Sequence, residues 1–171
     1  IHGCLVGSEM CIRDSPSTQG YLTLSTLKGF EMINNQDDYL HTLIESYRIC
    51  ASDRDNITFD YLGKDKKFLG TDDEYIRDKM SLFDKQAAGK YNFPNPHGGG
   101  TAYMNAVDQN GLGISLIQSN FYGIGSRIGV GNFGFFLHNR GCGFNLIKGH
   151  PNSLGPNKKP LHTLSPTIWS K

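Results

Sequence analysis

The residue of this sequence best suited to covalent chemistry is a threonine that follows three consecutive glycines, Gly98–Gly100. A threonine hydroxyl is a weak nucleophile and needs a base. Cleavage between Gly100 and Thr101 would supply one, because the new α-amine has a pKa of about 8 and lies on the same residue. The glycines leave the preceding backbone free to adopt the strained geometry that self-cleavage requires. The spacing therefore indicates an N-terminal threonine nucleophile, although Gly-Gly-Thr also begins many ordinary strands.

Other motifs in the sequence do not support a competing chemistry. Gly129–Gly134 matches the GxGxxG pattern for dinucleotides, but an aromatic segment follows it and no acidic residue occurs after Asp108 to hold a ribose. The histidines lack the spacing of a metalloprotease helix, and the GxSxG elbow of serine hydrolases does not occur. The four cysteines contain no CxxC pair, which predicts isolated thiols at Cys4, Cys11, Cys50 and Cys142. We therefore predict neither a metal nor a cofactor.

The first hundred residues are predicted to be mainly helical. Tyr21–Ile33 has a spacing compatible with a helix, Asp37 and Asp38 can cap a second helix that reaches Ala51, and Thr71–Glu74 begins a third. Apolar residues at three- and four-residue steps predict buried faces on the last two helices. These residues are Leu40, Leu43, Ile44, Tyr47 and Ala51 in one helix, and Ile76, Met80 and Phe83 in the other. Asp53–Gly70 is predicted to be an ordered loop, and Gln86–Gly100 a linker.

Beyond Gly100 the pattern becomes that of antiparallel strands. Thr101–Asp108 and Gly113–Ser119 alternate, and the Asn-Gly pair between them predicts a hairpin turn. Phe133–Asn139 is a third strand candidate, and His150–Ser165 resembles a loop. Helices followed by an antiparallel sheet indicate an α+β protein.

The net charge of the sequence changes sign at the same point. Its net charge is +1, but residues 1–100 carry 15 acidic and 11 basic side chains, a net −4, whereas residues 101–171 carry six basic and one acidic, a net +5. A total charge this small argues against a dedicated nucleic-acid surface. No apolar run approaches the ~20 residues that a membrane span needs.

Residues 1–15 are predicted to be foreign to the protein. Glu9–Ser15 resembles the conceptual translation of a transposase adapter used in sequencing libraries. The stretch has neither the layout of a secretory signal nor an amphipathic period, and we exclude it from the fold. The alternative is a natural disordered tail.

Short blocks of sequence occur in order along the chain: Pro16–Gly20, Tyr39–Ala51, Asp53–Asp55, Gly100–Tyr103, Val107–Gly111, Leu137–Gly141 and Asn157–Thr167. Together they resemble the gamma-glutamyltransferase (glutathione hydrolase) family of N-terminal-nucleophile hydrolases. Residues 16–100 are similar to the closing part of the family's large subunit, and residues 101–171 to the start of its small subunit. The family's catalytic threonine falls on Thr101, and Ser119 falls where the family has a second hydroxyl that hydrogen-bonds this threonine.

The resemblance implies a proenzyme that cleaves itself before Thr101 and folds as a four-layer αββα sandwich. Thr101 Oγ1 would attack a γ-glutamyl amide, and water or an amino-acid acceptor would resolve the acyl-enzyme. The implied partners are a small-molecule substrate, glutathione or another acyl amide, and the two subunits made from one precursor. No cofactor, nucleic acid or membrane span is implied for this part of the chain.

The positions that should bind substrate depart from the family's pattern. The family places an acid two or three residues beyond the Asn139 position, where this sequence has Arg140 followed by Gly141–Gly143. A histidine and a threonine replace two serines that grip the substrate's α-carboxylate, and the asparagine after the second hydroxyl is displaced. With these departures the sequence resembles the gamma-glutamyltransferase-like branch of the family, which is similar to the cephalosporin acylases. The candidate substrate-binding residues are Asn120, Arg140, His162 and Thr163.

Two alternatives to γ-glutamyl transfer remain. One is an acylase of the same superfamily that acts on carboxylate-bearing acyl amides, with Arg140 binding the carboxylate. The other is a non-catalytic descendant of the fold. We also expect the sequence to be a fragment that begins inside the large subunit and stops before the glycines of the family's oxyanion hole. Loss of one oxyanion donor costs about 10²–10³ in rate, so the 171-residue chain alone is expected to be inactive.

Overall fold

The computed structural model describes residues 17–35, 37–60, 68–91 and 101–165. Helices come first: α1 (Tyr21–Ile33), α2 (Tyr39–Ala51), the single turn α3 (Arg54–Ile57) and α4 (Asp73–Met80), with a 3₁₀ turn at Leu69–Thr71. A hairpin follows, made of β1 (Thr101–Val107) and β2 (Gly113–Ser119). The predictions for residues 1–15, for most of the linker and for Gly100 fall outside the described residues. Within those ranges, no helix combines the length and apolar character that crossing a membrane requires.

The helix boundaries confirm the predicted caps. The Asp38 carboxylate accepts a hydrogen bond from the His41 amide at 3.0 Å, and the Asp72 carboxylate accepts one from the Tyr75 amide at 3.1 Å. Each bond satisfies one of the amides that lack a partner at a helix start, which stabilises a helix by about 1 kcal/mol. Sequence-local signals therefore fix where α2 and α4 begin.

The apolar core lies where α1, α2 and α4 meet. Ile49 of α2 and Ile76 of α4 are almost completely buried there, and Met80 packs beside them. A Cβ on Gly29 of α1 would lie 2.7 Å from the Met80 sulfur, so this glycine permits the close approach of the two helices. The inward positions predicted for α4 are confirmed, with Phe83 partly buried against the same core.

The face predicted to be buried on α2 is wrong. Of the predicted stripe only Ala51 is buried, whereas Leu40 is 56% and Ile44 is 48% exposed, and Leu43 and Tyr47 are also exposed. The buried face is instead largely polar and contains Thr42, Glu45, Ser46, Ile49 and Cys50. The periodicity of the sequence identifies an apolar stripe on α2. Which face of α2 is buried, however, depends on where the neighbouring helices pack. Two of the buried polar side chains are satisfied by hydrogen bonds: the Thr42 hydroxyl donates to the Asp38 carbonyl at 2.8 Å, and the Glu45 carboxylate accepts from the Gly89 amide at 2.8 Å.

The predicted hairpin is confirmed, with β1 and β2 paired in antiparallel register from Thr101 opposite Ser119 to Val107 opposite Gly113. The Asp108 carboxylate organises the turn, because it accepts hydrogen bonds from the amides of Asn110 and Leu112, both at 2.8 Å. Of the predicted Asn-Gly pair only Gly111 adopts a positive φ, +85°. The turn is therefore held by a side chain rather than by two left-handed residues.

The third strand candidate, Phe133–Asn139, is wrong. A 3₁₀ turn occupies Gly131–Phe133, Gly134 adopts a left-handed φ of +75°, and Phe136 forms only an isolated bridge with Gly129. The left-handed residue interrupts the extended conformation that the aromatic run would otherwise favour. A second 3₁₀ turn follows at Arg140–Gly143.

The segment after residue 150 is irregular, as predicted, but it is tied to the start of the helical part. The His162 amide donates to the Ser17 carbonyl at 2.7 Å, and the Gln19 amide donates to the His162 carbonyl at 2.9 Å. These bonds form an isolated parallel bridge between Thr18 and His162. The bridge places a predicted substrate-binding segment beside residues that precede α1.

Candidate active site

The two hydroxyls singled out in the sequence lie together at the open end of the hairpin. Thr101 is the first residue of β1 and Ser119 the last of β2, and the antiparallel register makes them direct partners. The Thr101 hydroxyl donates a hydrogen bond to Ser119 Oγ with an oxygen–oxygen distance of 3.1 Å. The hairpin thus brings a candidate nucleophile into contact with a residue 18 positions away.

Ser119 also receives a hydrogen bond from the backbone that follows it. The Phe121 amide donates to Ser119 Oγ at 3.1 Å, so both acceptor positions of this oxygen are engaged and its own proton is left to donate elsewhere. Phe121 has a φ of +79°, a left-handed conformation that is costly for a bulky residue. The contacts around Ser119 therefore hold a strained turn at the end of the strand.

An open depression lies over this pair and has a volume of about 540 Å³. Its lining consists of the two strand ends and the loop that follows: Thr101, Ala102, Gln118, Ser119, Asn120, Gly123 and Ile124. The nucleophile candidate is exposed to solvent there. Of the predicted substrate-binding residues, Asn120 is thereby placed beside the hydroxyl pair.

The side chain of Asn139 clamps the loop that follows Ser119. Its Oδ1 accepts from the Tyr122 amide at 3.0 Å, while its Nδ2 donates to the carbonyls of Tyr122 and Gly125 at 3.3 Å and 3.1 Å. Its own amide donates to the Asn120 carbonyl at 3.2 Å. The sequence did not predict this function of Asn139, because the contacts span 14 to 19 residues and no local pattern signals them.

Arg140, the next residue, is buried with only 5% of its surface exposed. Its guanidinium carbon lies 5.3 Å from the centre of the Phe121 ring, a cation–π contact. Neither Nη1 nor Nη2 has a hydrogen-bond partner within the part of the chain that the structure describes. Burial lowers the pKa of this guanidinium below its usual value, which nevertheless leaves it charged at neutral pH.

His162 lies within the electrostatic range of Arg140. Burial, followed by electrostatic interaction with Arg140 and then with His138, lowers the pKa of His162 to about 4, so its imidazole is neutral at pH 7. The Leu164 amide donates to His162 Nδ1 at 3.2 Å, which places the proton of the neutral ring on Nε2. For Thr163 the structure shows a backbone contact, since Gln19 Nε2 donates to the Thr163 carbonyl at 2.8 Å.

The structure thus forms two adjoining groups from the predicted residues. Thr101, Ser119 and Asn120 share the depression, and the strained Phe121 links them to buried Arg140. His162 is associated with Arg140 by charge, whereas the cleavage-site residue Gly100 lies outside the described residues. Across the described residues no cluster of three metal-ligating side chains occurs.

Comparison with known proteins identifies the family. The model of the gamma-glutamyltranspeptidase family matches residues 5–171. The chain is 32% identical over 168 residues to the glutathione hydrolase-like YwrD proenzyme of Bacillus subtilis, covering 91% of this chain and 31% of that protein. It is 31% identical over 163 residues to the oxamate amidohydrolase proenzyme of Klebsiella pneumoniae, covering 89% of this chain and 30% of that protein. The chain therefore spans about three-tenths of the length of these relatives.

A solved structure shares the fold. The crystal structure of cephalosporin acylase from Bacillus halodurans matches with a TM-score of 0.71 and 27% sequence identity, over 87% of this chain and 28% of that one. This match confirms the α+β fold of the N-terminal-nucleophile hydrolase class that the sequence predicted, with helices followed by a small antiparallel sheet. From the sequence match and the shared fold together, the chain belongs to the gamma-glutamyltranspeptidase family.

Proposed function

We propose that the protein to which this chain belongs is a self-cleaving amidase that transfers or hydrolyses acyl groups through Thr101, with γ-glutamyl amides as its substrate class. The observation that carries the proposal is the hydrogen-bonded pair of hydroxyls, Thr101 and Ser119, at an open depression. A hydroxyl oriented by a second hydroxyl and open to solvent is suited to attack a carbonyl carbon. Relatives named glutathione hydrolase proenzymes support the substrate class.

Maturation cuts the chain between Gly100 and Thr101, dividing the sequence into a part that ends at residue 100 and a part that begins at residue 101. The cut releases the α-amine of Thr101. Near neutral pH a fraction of this amine is unprotonated and can take the proton of the threonine hydroxyl. The exposed position of Thr101 at the strand end leaves room for the new terminus.

The catalytic cycle has two steps. Thr101 Oγ1 forms a bond to the carbonyl carbon of the substrate amide while its proton passes to the α-amine. The C–N bond then breaks as the leaving amine takes that proton, and an acyl ester remains on Thr101. In the second step water, or an acceptor amine, attacks the ester carbonyl carbon while its proton passes to the α-amine. The ester C–O bond then breaks, Thr101 Oγ1 takes that proton back, and the acyl group leaves as the free acid or as a new amide. Asn120, Arg140, His162 and Thr163 are the residues proposed to bind substrate.

The test uses the full-length proenzyme that carries this sequence. Mass spectrometry of the purified protein should find a chain that begins at Thr101, and a chromogenic γ-glutamyl anilide should be turned over. Thr101→Ala should abolish both, whereas Thr101→Ser, which keeps the hydroxyl, should retain cleavage and part of the turnover. An uncut wild-type protein without turnover would refute the proposal and favour a non-catalytic descendant of the fold.

A further inference from the structure

The segment that holds two of the proposed substrate-binding residues, residues 161–165, has no regular secondary structure beyond an isolated bridge at His162. Two hydrogen bonds join its backbone to the backbone of Ser17 and Gln19, and such bonds form with almost any side chains. A third bond comes from a side chain, because Gln19 Nε2 donates to the Thr163 carbonyl at 2.8 Å. The identity of residue 19 can therefore influence the position of this segment.

The peptide group between Thr163 and Leu164 connects Gln19 to His162. Its carbonyl accepts the Gln19 side chain, and its N–H, which belongs to Leu164, donates to His162 Nδ1 at 3.2 Å. Both groups belong to one planar unit, so a bond that fixes the carbonyl also fixes the direction of the N–H. A hydrogen bond to the carbonyl also polarises the N–H of the same peptide and strengthens its bond to the imidazole. The Gln19 side chain thus acts on the His162 ring through a single peptide plane.

The orientation of the Gln19 amide is set in turn by Arg54. Arg54 Nη1 donates to Gln19 Oε1 at 3.0 Å. A guanidinium can only donate, so the amide oxygen must face Arg54 and the NH₂ group must face the Thr163 carbonyl. Arg54 is itself held by the Asp55 carboxylate, whose Oδ1 lies 2.9 Å from Nε and 2.8 Å from Nη2. These contacts form a continuous series from Asp55 through Arg54 and Gln19 to the peptide beside His162.

We propose that Gln19, oriented by Arg54, is a positioning residue for substrate binding, which fixes the direction of the His162 imidazole and of Thr163 in the binding site. The inference rests on the proposed function, since that function assigns substrate binding to His162 and Thr163. It adds to that function a glutamine and an arginine that bind no substrate themselves. Their contribution passes through the peptide that follows Thr163.

The pair of hydroxyls proposed to carry out the chemistry lies outside this series of contacts. The side chains of Thr101 and Ser119 bond to each other, and Ser119 Oγ also accepts the Phe121 amide. Neither Gln19 nor Arg54 takes part in these bonds. Loss of the Gln19 contact should therefore raise KM and leave kcat and self-cleavage unchanged, the pattern expected when an interaction serves binding alone.

The decisive variant is Gln19→Glu, which keeps the size of the side chain. A glutamate still accepts from Arg54 but cannot donate to the Thr163 carbonyl. In the mature full-length enzyme, KM for the γ-glutamyl anilide should rise by about two- to tenfold, the scale of one neutral hydrogen bond, while kcat stays within about twofold. Gln19→Met removes both contacts and adds no charge. A similar rise in KM in Gln19→Met would assign the effect to the lost donor rather than to the new carboxylate.

A second variant, Arg54→Met, tests whether Arg54 acts through Gln19. Without the guanidinium the Gln19 amide is free to turn its oxygen toward Thr163, so KM should rise. The double variant with Gln19→Met should have the KM of Gln19→Met alone. Lys28→Met is the matched control, because Lys28 also pairs with an acid and donates to a backbone carbonyl, that of Thr71 at 3.1 Å, outside the series. Its KM should equal that of the wild type.

A spectroscopic measurement separates this inference from the proposed function. In the full-length protein labelled with ¹⁵N-histidine at neutral pH, the two ring nitrogens of His162 should show the distinct shifts of the Nε2–H tautomer, assigned by comparison with His162→Gln. Gln19→Glu should move both shifts toward the average of the two tautomers, whether or not the chain is cut. An uncut, inactive wild type would refute the proposed function, and the shifts would still report the contact. Unchanged His162 shifts in Gln19→Glu, or a kcat that falls as much as KM rises, would overturn the role of Gln19.

Discussion

Replacing Ser119 by alanine tests whether this residue orients the proposed nucleophile, Thr101, or carries out chemistry of its own. The oxygen–oxygen distance of 3.1 Å between Thr101 and Ser119 is long for two hydroxyls, which usually lie 2.7–2.8 Å apart. Both groups are uncharged, so the bond contributes about 0.5–1.5 kcal/mol. If that energy serves to orient Thr101 Oγ1 for attack, Ser119→Ala lowers kcat by about two- to thirteenfold.

The assay is the turnover of a saturating chromogenic amide by the full-length enzyme, with maturation followed by mass spectrometry. Ser115→Ala is the matched control, because Ser115 lies in the same strand and makes an equivalent hydroxyl contact of 3.1 Å with Tyr103, away from the depression. We expect this control to retain the full kcat. A loss of a thousandfold or more in Ser119→Ala would refute the reasoning, because it would require Ser119 to transfer a proton or stabilise charge.

Two further predictions concern stability, both followed by urea unfolding. Because the pKa of His162 falls from 6.5 to about 4 on folding, the unfolded chain binds more protons between these values, and stability should decrease as pH falls from 6.5 to 4. His162→Gln should make this decrease smaller. If the wild-type protein were equally stable at pH 7 and pH 4.5, the prediction for His162 would be contradicted. Gly125→Ala should lower the free energy of unfolding by about 2–4 kcal/mol, because φ is +84° and the new Cβ would lie 2.4 Å from the Leu137 carbonyl oxygen. Gly134→Ala is the control: the new Cβ has no close neighbour there, so the loss should be smaller.

Elements specified by neighbouring residues could be predicted from the sequence. The caps at Asp38 and Asp72 act on amides three residues away, and the turn after Asp108 is equally local. The buried face of α2 could not be predicted, because it depends on where α1 and α4 lie rather than on the helix itself. The aromatic run at Phe133–Asn139 has the composition of a strand, but its conformation follows from the left-handed Gly134.

The candidate site likewise combines features that the sequence predicts with features that depend on contacts between distant residues. The hairpin that the sequence predicts places the two hydroxyls together, and the resemblance to the family had already indicated Ser119 as the partner of Thr101. The burial of Arg140 and the clamp of Asn139 depend on contacts with a loop 14 to 19 residues earlier in the chain. Such contacts depend on how the loop folds back onto Asn139 and Arg140. The residue types alone therefore could not predict that Arg140 is buried rather than exposed.

The proposed cleavage before Thr101 would turn the bridge between Thr18 and His162 into a contact between two polypeptides. The bonds from the His162 and Gln19 amides, together with that from Gln19 to the Thr163 carbonyl, then join two separate polypeptides. The Lys159 amide, which donates to the Asp60 carboxylate at 2.8 Å, crosses the same boundary. Before cleavage the connecting chain keeps these partners at a high effective concentration, and afterwards their association obeys mass action. Under the proposed cleavage, the precursor would assemble this contact, and the cleaved protein would have to retain it without the covalent tether.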